Sequence, residues 1–313
     1  MRPPASGPAP APPVLPPVLP PVSLSVSVIV PVYRDWDRVP GLLAALAAQD
    51  VAGAEVILVN NDTRPAPDLA SIGSSAGPAM ALRIVDCARP GSYAARNAGA
   101  AQARGGWLVF TDADCLPVPG WLAALTAAAR DAPPGQILLG PVVLQPGPNP
   151  GAWEVFDTVR GMPQEMFLRH GYGVTANLAL AAAQFHRLGG FDAGRYSGGD
   201  AEFCRRATRQ GASLRLVDGA VVTHPARTSR AEVVTKARRI KGGQITGGSR
   251  LSRRLWLLRS FAPPLREMLA YLRASRHPMR WRLIACRVRW QLWGVELAEI
   301  WRLLILRAAP ERR

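Results

Sequence analysis

The chain has 313 residues, of which 48% are hydrophobic, and a formal net charge of +16. That is enough for one large α/β domain or two small ones with a sizeable core, but no run of about 18 uncharged apolar residues offers a clean transmembrane helix. The four cysteines, Cys87, Cys115, Cys204 and Cys286, are dispersed and form no CxxC pair, which argues against a zinc site or a disulfide framework and for reduced thiols in a cytoplasmic protein.

In chain order, residues 1–22 are rich in proline without helical or strand periodicity and read as a disordered, polyproline-like leader with no signal-peptide core. A folded region over 23–226 follows. Apolar strands are expected at 25–32, 55–60, 82–86 and 107–111, with helices at 39–49, 92–103 and 120–130. Continuous apolar strands alternating with helices predict a mostly parallel sheet covered on both faces. A strand is expected at 137–144, helices near 153–160, 181–188 and 202–210, and a strand at 213–217, while 171–180 reads as strand or loop. From Ser229 the pattern is helical and basic.

The charge is one-sided. Residues 1–226 carry 17 Arg against 17 Asp plus Glu, whereas 227–313 carry 21 Lys plus Arg against 5 Glu, so the whole +16 falls in the C-terminal part. Such an excess points to an acidic partner, anionic lipid or nucleic acid.

Polar residues gather just after the strands: Tyr33 and Asp35, Asn60 to Asp62, Asp86, then Asp112 and Asp114. In open α/β sheets ligands bind outside the carboxyl ends of the strands. In Val109-Phe110-Thr111-Asp112-Ala113-Asp114 a hydrophobic strand runs into two carboxylates spaced i, i+2. Once the chain turns, both can face one hard divalent cation, Mg²⁺ or Mn²⁺, that bridges to a diphosphate. The plainer reading is two solvated loop acids. Ser197-Gly198-Gly199-Asp200-Ala201-Glu202 places a carboxylate after a tight turn, either as a general base or as the N-cap of a helix with acids in its first turn. Tyr93-Ala94-Ala95-Arg96-Asn97-Ala98-Gly99 offers an Arg-Asn pair to a phosphate or nucleoside, or is an ordinary surface helix.

These pieces together resemble the family 2 glycosyltransferases of GT-A fold. The resemblance rests on Val30-Pro31-Val32-Tyr33, Val59-Asn60-Asn61-Asp62-Thr63, Ala95-Arg96-Asn97-Ala98-Gly99, Phe110-Thr111-Asp112-Ala113-Asp114, Gly189-Gly190-Phe191-Asp192 and Gly199-Asp200-Ala201-Glu202, in the family's order over about two-thirds of the chain. It implies a Rossmann-like, mostly parallel sheet flanked by helices. It also implies transfer of a sugar, with inversion, from a nucleoside-diphosphate sugar to an acceptor hydroxyl; a glycan or lipid-linked, membrane-proximal acceptor is the expectation that the basic tail adds. Pro31, Val32 and Tyr33 would line the nucleotide pocket with Asp35, Asn61 and Asp62 nearby, and Arg96 would lie near the phosphates. Asp112 would face the ribose or the metal, Asp114 would ligate the metal, and His224 stands where a further metal ligand can occur. Asp200 would deprotonate the acceptor and Glu202 would position it. Two departures stand out. Asn60 and Asn61 occupy positions that are commonly acidic, and Gly199 stands where Glu is frequent.

The C-terminal 227–313 is expected to be a basic amphipathic helical tail. Leu283, Cys286, Trp290, Trp293, Leu297, Trp301 and Leu304 recur at helical spacing with Arg280, Arg282, Arg287 and Arg289 beside them. Tryptophan flanked by Arg suits a helix on an anionic membrane surface, which predicts a peripheral protein on the inner face of the cell membrane. Packing of the stripe on the catalytic domain is the alternative. A nucleic-acid-binding role leaves the acidic strand-end rim unexplained. A sugar-phosphate nucleotidyltransferase would need a Gly-rich basic loop after the first strand, where 33–39 is bulky, has no glycine and balances its arginines with aspartates.

Overall fold

The structure is a computed structural model that describes residues 25–49, 53–73, 80–195 and 197–311; the proline-rich leader expected at 1–22 lies outside them. The first half alternates as the apolar runs predict: β1 (Val26–Val32), α1 (Val39–Ala47), β2 (Glu55–Asn60), α2 (Leu69–Gly73), β3 (Ala81–Asp86), α3 (Ser92–Gln102) and β4 (Trp107–Thr111). Nearly every residue of β1 and β2 is buried, as Val- and Ile-rich strands covered on both faces must be. After β4 come β5 (Leu116–Pro117), α4 (Trp121–Arg130), β6 (Ile137–Leu139), β7 (Val142–Gln145), α5 (Ala152–Arg160), α6 (Gln164–Arg169), β8 (Asn177–Ala181), α7 (Ala182–Arg187), α8 (Gly199–Arg209), β9 (Leu214–Leu216) and β10 (Val222–Pro225).

The main sheet has the order β3-β2-β1-β4-β8-β6-β9. β1 to β4 are parallel, so their carboxyl ends share one rim. β8 runs antiparallel between β4 and β6. The single strand expected at 137–144 splits. β6 stays in the main sheet, while β7 joins a small second sheet of order β5-β10-β7. The break falls at Gly140-Pro141. Any side chain at 140 would collide with the Ala220 carbonyl and the Asn177 amide.

α1 and α4 cover one face of the sheet through Leu42, Leu43, Trp121 and Leu125. α3, α7 and α8 cover the other. Here a Cβ on Gly99 would stand 2.7 Å from Ile29 and 2.8 Å from Val59, so only glycine lets α3 lie this close to β1 and β2. Phe191 packs against Phe110, Phe185 and Phe203 with ring centroids 5.2, 5.2 and 4.8 Å apart, which anchors the segment leading into α8.

The basic segment forms α9 (Arg230–Thr246), α10 (Arg250–Ser260), α11 (Leu265–Leu272) and α12 (Met279–Leu304). α9 starts with a capping box: Glu232 N–H donates to Ser229 Oγ (3.2 Å) and Ser229 N–H to Glu232 Oε2 (3.0 Å). α12 packs on α5 and α9 through Ala285, Val288 and Leu292 against Val155, Phe156, Val159 and Val233. The expected stripe divides between packed and exposed positions. Cys286 is buried, but Leu283, Trp290, Trp301 and Leu304 are exposed. The helix has two apolar faces, and the slimmer residues take the closely packed one. Of the tail's acids, Glu296 and Glu267 pair with Arg289, and Glu299 with Arg302. All four cysteines are free, and Cys87 alone is not buried.

Candidate active site

At the end of β4 the chain turns sharply, with Cys115 N–H donating to the Asp112 carbonyl (3.1 Å). The turn brings carboxylate oxygens of Asp112 and Asp114 and the Cys115 sulfur within 4.8 Å of one another. The two carboxylates are partly open, 31% and 28% exposed, whereas Cys115 is sealed in the core. Burial and then the two carboxylates push the Cys115 thiol well up. A neutral buried thiol is a poor partner for a hard cation, which prefers oxygen. The carboxyl of Asp114 is also raised, by burial first and by Asp112 against the opposing pull of His224.

His224 arrives from the second sheet. β5 follows directly on the turn and pairs with β10, Leu116 opposite Thr223, and the next residue of β10 places His224 Nε2 3.4 Å from Asp114 Oδ2. Nδ1 lies 2.7 Å from the Pro225 carbonyl, and in the neutral ring it donates there, so Nε2 carries the lone pair. His224 Nε2 then faces Asp114 as an acceptor, beside the close pair of Asp112 and Asp114 carboxylates. That donor set suits Mg²⁺ or Mn²⁺ with room for phosphate oxygens.

On the other side of the turn, Arg96 is 4% exposed and its guanidinium pairs with Asp112. It sits 5.7 Å from the Tyr93 ring centroid. Tyr93 Oη donates to Asp200 Oδ1 (3.3 Å), which also accepts from Ala201 N–H (2.9 Å). Burial raises the Asp200 carboxyl above its ordinary range, opposed by Ala201, Arg96 and Tyr93. The N-cap reading of Asp200 is corrected: the cap is Gly198, at φ 71°, and Asp200 is the second residue of α8. Nor is 92–102 a surface helix, since Tyr93, Ala94, Ala95 and Arg96 are all buried. An unbroken path of contacts therefore joins Asp114, Asp112, Arg96, Tyr93 and Asp200.

The nucleotide side differs from expectation at several residues. The Val32 side chain is buried in the core, because strand alternation turns it inward; Pro31 and Tyr33 are half-buried at the rim. Asn61 is spent internally. Its Nδ2 donates to the Cys87 and Arg89 carbonyls (2.9 and 2.8 Å), and its Oδ1 accepts from Gly91 N–H (2.8 Å). Asp62 is clasped by Arg64 (2.9 Å) and Arg34 (3.6 Å). The backbone carbonyl of Asp35 accepts from Arg38 N–H (3.1 Å) and opens the turn into α1. Glu202 is held by Arg206 Nε (2.8 Å), which also ties down the Gly190 carbonyl (2.7 Å).

The profile of glycosyl transferase family 2 matches residues 27–187. Over 249 residues the chain is 33% identical to the glycosyltransferase AglE of Haloferax volcanii, covering 75% of this chain and 81% of that protein. The chain belongs to glycosyl transferase family 2. This glycosyltransferase is also 34% identical to the pre-mycofactocin glycosyltransferase of Mycobacterium tuberculosis over 146 residues, 44% of this chain and 31% of that one. In fold it resembles the mannosyltransferase PcManGT from Pyrobaculum calidifontis, solved with GDP-Man and Mn²⁺, at TM-score 0.59 and 17% identity over 90% of this chain and 88% of that one. It also resembles S. aureus TarS 1–349 with UDP-GlcNAc, at TM-score 0.53 and 18% identity over 88% and 91%. The fold is that of GT-A glycosyltransferases.

Three residues of the motifs named above take structural places in this glycosyltransferase that the motifs did not specify. Asn97 exchanges two hydrogen bonds with the Phe191 backbone (2.7 and 2.9 Å) and so fixes the approach to α8. Tyr93 holds Asp200. Gly199 lies against Tyr93, and a Cβ there would stand 2.6 Å from the ring. The missing Glu at 199 is thus a steric consequence of the tyrosine. Only the Arg-Asn-x-Gly spacing on an otherwise Ala-rich helix hinted at any of this.

Proposed function

We propose that this glycosyltransferase moves a sugar from a nucleoside-diphosphate sugar to an acceptor hydroxyl with inversion, in a single displacement. The chain of neighbouring side chains from Asp114 to Asp200 supports the reading, since it links the two carboxylates read as the cation site to the carboxylate read as the base. Asp200 takes the acceptor's proton, and its raised carboxyl pKa strengthens it as a base. Tyr93 and the first turn of α8 hold its orientation. Arg96 stands beside Asp112, ready for the phosphates. Asp112, Asp114 and His224 would hold Mg²⁺ or Mn²⁺, which would supply Lewis-acid neutralisation of charge on the diphosphate. With Asp200 on the acceptor side and Glu202 locked to Arg206, one base serves one displacement, which inverts the anomeric centre. The folded unit 23–226 is read as the catalytic domain.

The metal assignment has its own test. Mn²⁺ with UDP or GDP raises the melting temperature of the wild type, and Asp114→Asn raises the Mn²⁺ concentration needed for that shift by about tenfold or more. Identical Mn²⁺ titrations for both proteins would remove Asp114 from the metal site.

We further propose that the tail, 227–313, lies on an anionic membrane surface on the cytoplasmic side. Among the described residues no helix is long and apolar enough to cross a membrane. Yet Leu251, Leu258 and Phe261 are 67%, 70% and 60% exposed, and Arg250, Arg253, Arg254 and Arg259 share their helix. The patch continues onto α12, where Trp293 Nε1 donates to the Ser260 carbonyl (2.9 Å) and Trp290 packs on Trp293. Exposed apolar residues among arginines match an interfacial helix. The full chain should float with phosphatidylglycerol vesicles at low salt, and Leu258→Glu with Phe261→Glu should weaken this about tenfold or more. Unchanged flotation of the double variant would sink the assignment.

A further inference from the structure

Where α9 docks on α5 lies a charge cluster that the transfer reaction does not use. Asp157, in the last turns of α5, has a side chain only 1% exposed. Three cations converge on it. Arg227 Nη1 lies 3.1 Å from Oδ2, and its backbone N–H donates to the same oxygen at 3.2 Å. Lys236 Nζ lies 3.5 Å from Oδ1, and Arg160 Nη1 3.8 Å from it. One carboxylate faces three cations. Lys236 Nζ and Asp157 Oδ1 are both buried and face each other across that 3.5 Å, too long for a full hydrogen bond. Burial, then Arg160 and Arg227, push the Lys236 ammonium well down. A fourth cation stands close by, since Arg276 Nη2 is 3.4 Å from where a Gly161 Cβ would be.

A tie between α5 and α9 needs one cation for one acid. Two surplus charges at a partly buried point are costly unless an anion joins them. The arginines keep an open edge, with side chains 34% exposed at Arg160 and 24% at Arg227. The cluster also borders the site. Arg227 is within electrostatic reach of Asp114, and Arg160 of Tyr172, which itself feels Asp200.

We propose that Arg160, Arg227 and Lys236 form an anion subsite that binds a phosphate carried by the acceptor, so that the acceptor hydroxyl is delivered to Asp200 by its own phosphate. The proposal rests on the reading of Asp200 as the acceptor side. Planar guanidinium groups suit phosphate oxygens, and a phosphate would offset the positive charge that Asp157 alone does not.

The test measures binding to the full chain by calorimetry, with the nucleotide site saturated by UDP and Mn²⁺. The probes are citronellyl phosphate and glycerol 3-phosphate, with citronellol as the uncharged control. A phosphate ester should bind the wild type, and Arg160→Gln and Lys236→Met should each weaken it about tenfold or more. Tighter citronellyl phosphate would assign a lipid phosphate, and tighter glycerol 3-phosphate a soluble phosphoglycan. Because Lys236 also pairs with Asp157, the melting temperature of Lys236→Met is recorded alongside, and Arg160→Gln, at a side chain 34% exposed, carries the test. No phosphate binding by the wild type, or equal binding by Arg160→Gln, overturns the subsite. A separate thermal shift with UDP and Mn²⁺ reads the nucleotide site. If that shift is present while phosphate binding is absent, the subsite fails and the transfer reaction stands; the opposite pair of results removes the reaction and keeps an anion site.

Discussion

Asp200→Asn should lower turnover by about 10²- to 10⁴-fold while the binding of UDP or GDP with Mn²⁺ stays within about twofold of wild type. The substitution keeps the size of the side chain and an oxygen for the Tyr93 hydroxyl and the Ala201 N–H. It removes the ability to take a proton. Nothing on the Asp112–Asp114 side changes, because Arg96 and Tyr93 lie between the two halves. The pH profile gives a second reading. A base works only when deprotonated, so turnover falls as pH drops through its pKa. Burial raises the Asp200 carboxyl, which puts the acidic limb of the wild-type profile above the ordinary aspartate range near ~3.9. The variant's residual activity should lack that limb. Turnover within about threefold of wild type, or an unchanged limb, would mean that another group takes the proton.

The first half of the fold was legible because its strands are buried on both faces. Runs such as Val-Ile-Leu in β2 need no alternation to be recognised, and the acids that follow them mark the sheet's working rim. The second sheet was not legible. β5 has two residues and β10 has four, too few for a period to show, and His224 reaches Asp114 only through their pairing. Val32 packs its side chain into the core on the face of β1 that α1 and α4 cover, which the motif alone did not show. Asn61 looked like a nucleobase reader because it follows β2. Its amide is consumed instead by the backbone of residues 87–91, which has no strand partner there. In the tail, a large aromatic stripe drew attention away from Ala285, Val288 and Leu292, the face that packs. The Asp157 cluster left no trace at all in local sequence, since its members come from α5, the end of β10 and α9.

Asp157→Ala should destabilise the fold by about 3–5 kcal/mol, the usual cost of leaving buried charges without their partner. Asp157 is 0% exposed and binds both the Arg227 backbone and three cationic side chains. Removing it leaves Arg160, Arg227 and Lys236 to repel one another where α9 docks on α5. The acid dependence follows from the same contacts. Burial pushes the carboxyl up, but Lys236, Arg227 and Arg160 outweigh it and hold it at about 2. The folded value is below the unfolded one, so the stabilisation is complete above about pH 4 and is lost as pH falls toward 2, an effect of about 2 kcal/mol. The loss in the variant is larger than this titration effect because protonation keeps a hydrogen-bonding group in place and truncation does not. Urea unfolding at pH 7 measures the difference, and the Asp157→Ala, Lys236→Met double variant should recover part of it, since one of the stranded charges is gone. If the single variant loses less than about 1 kcal/mol, or the double variant recovers nothing, the cations do not depend on Asp157, and α9 is held to α5 by the apolar contacts of Val155, Val159 and Val233 alone.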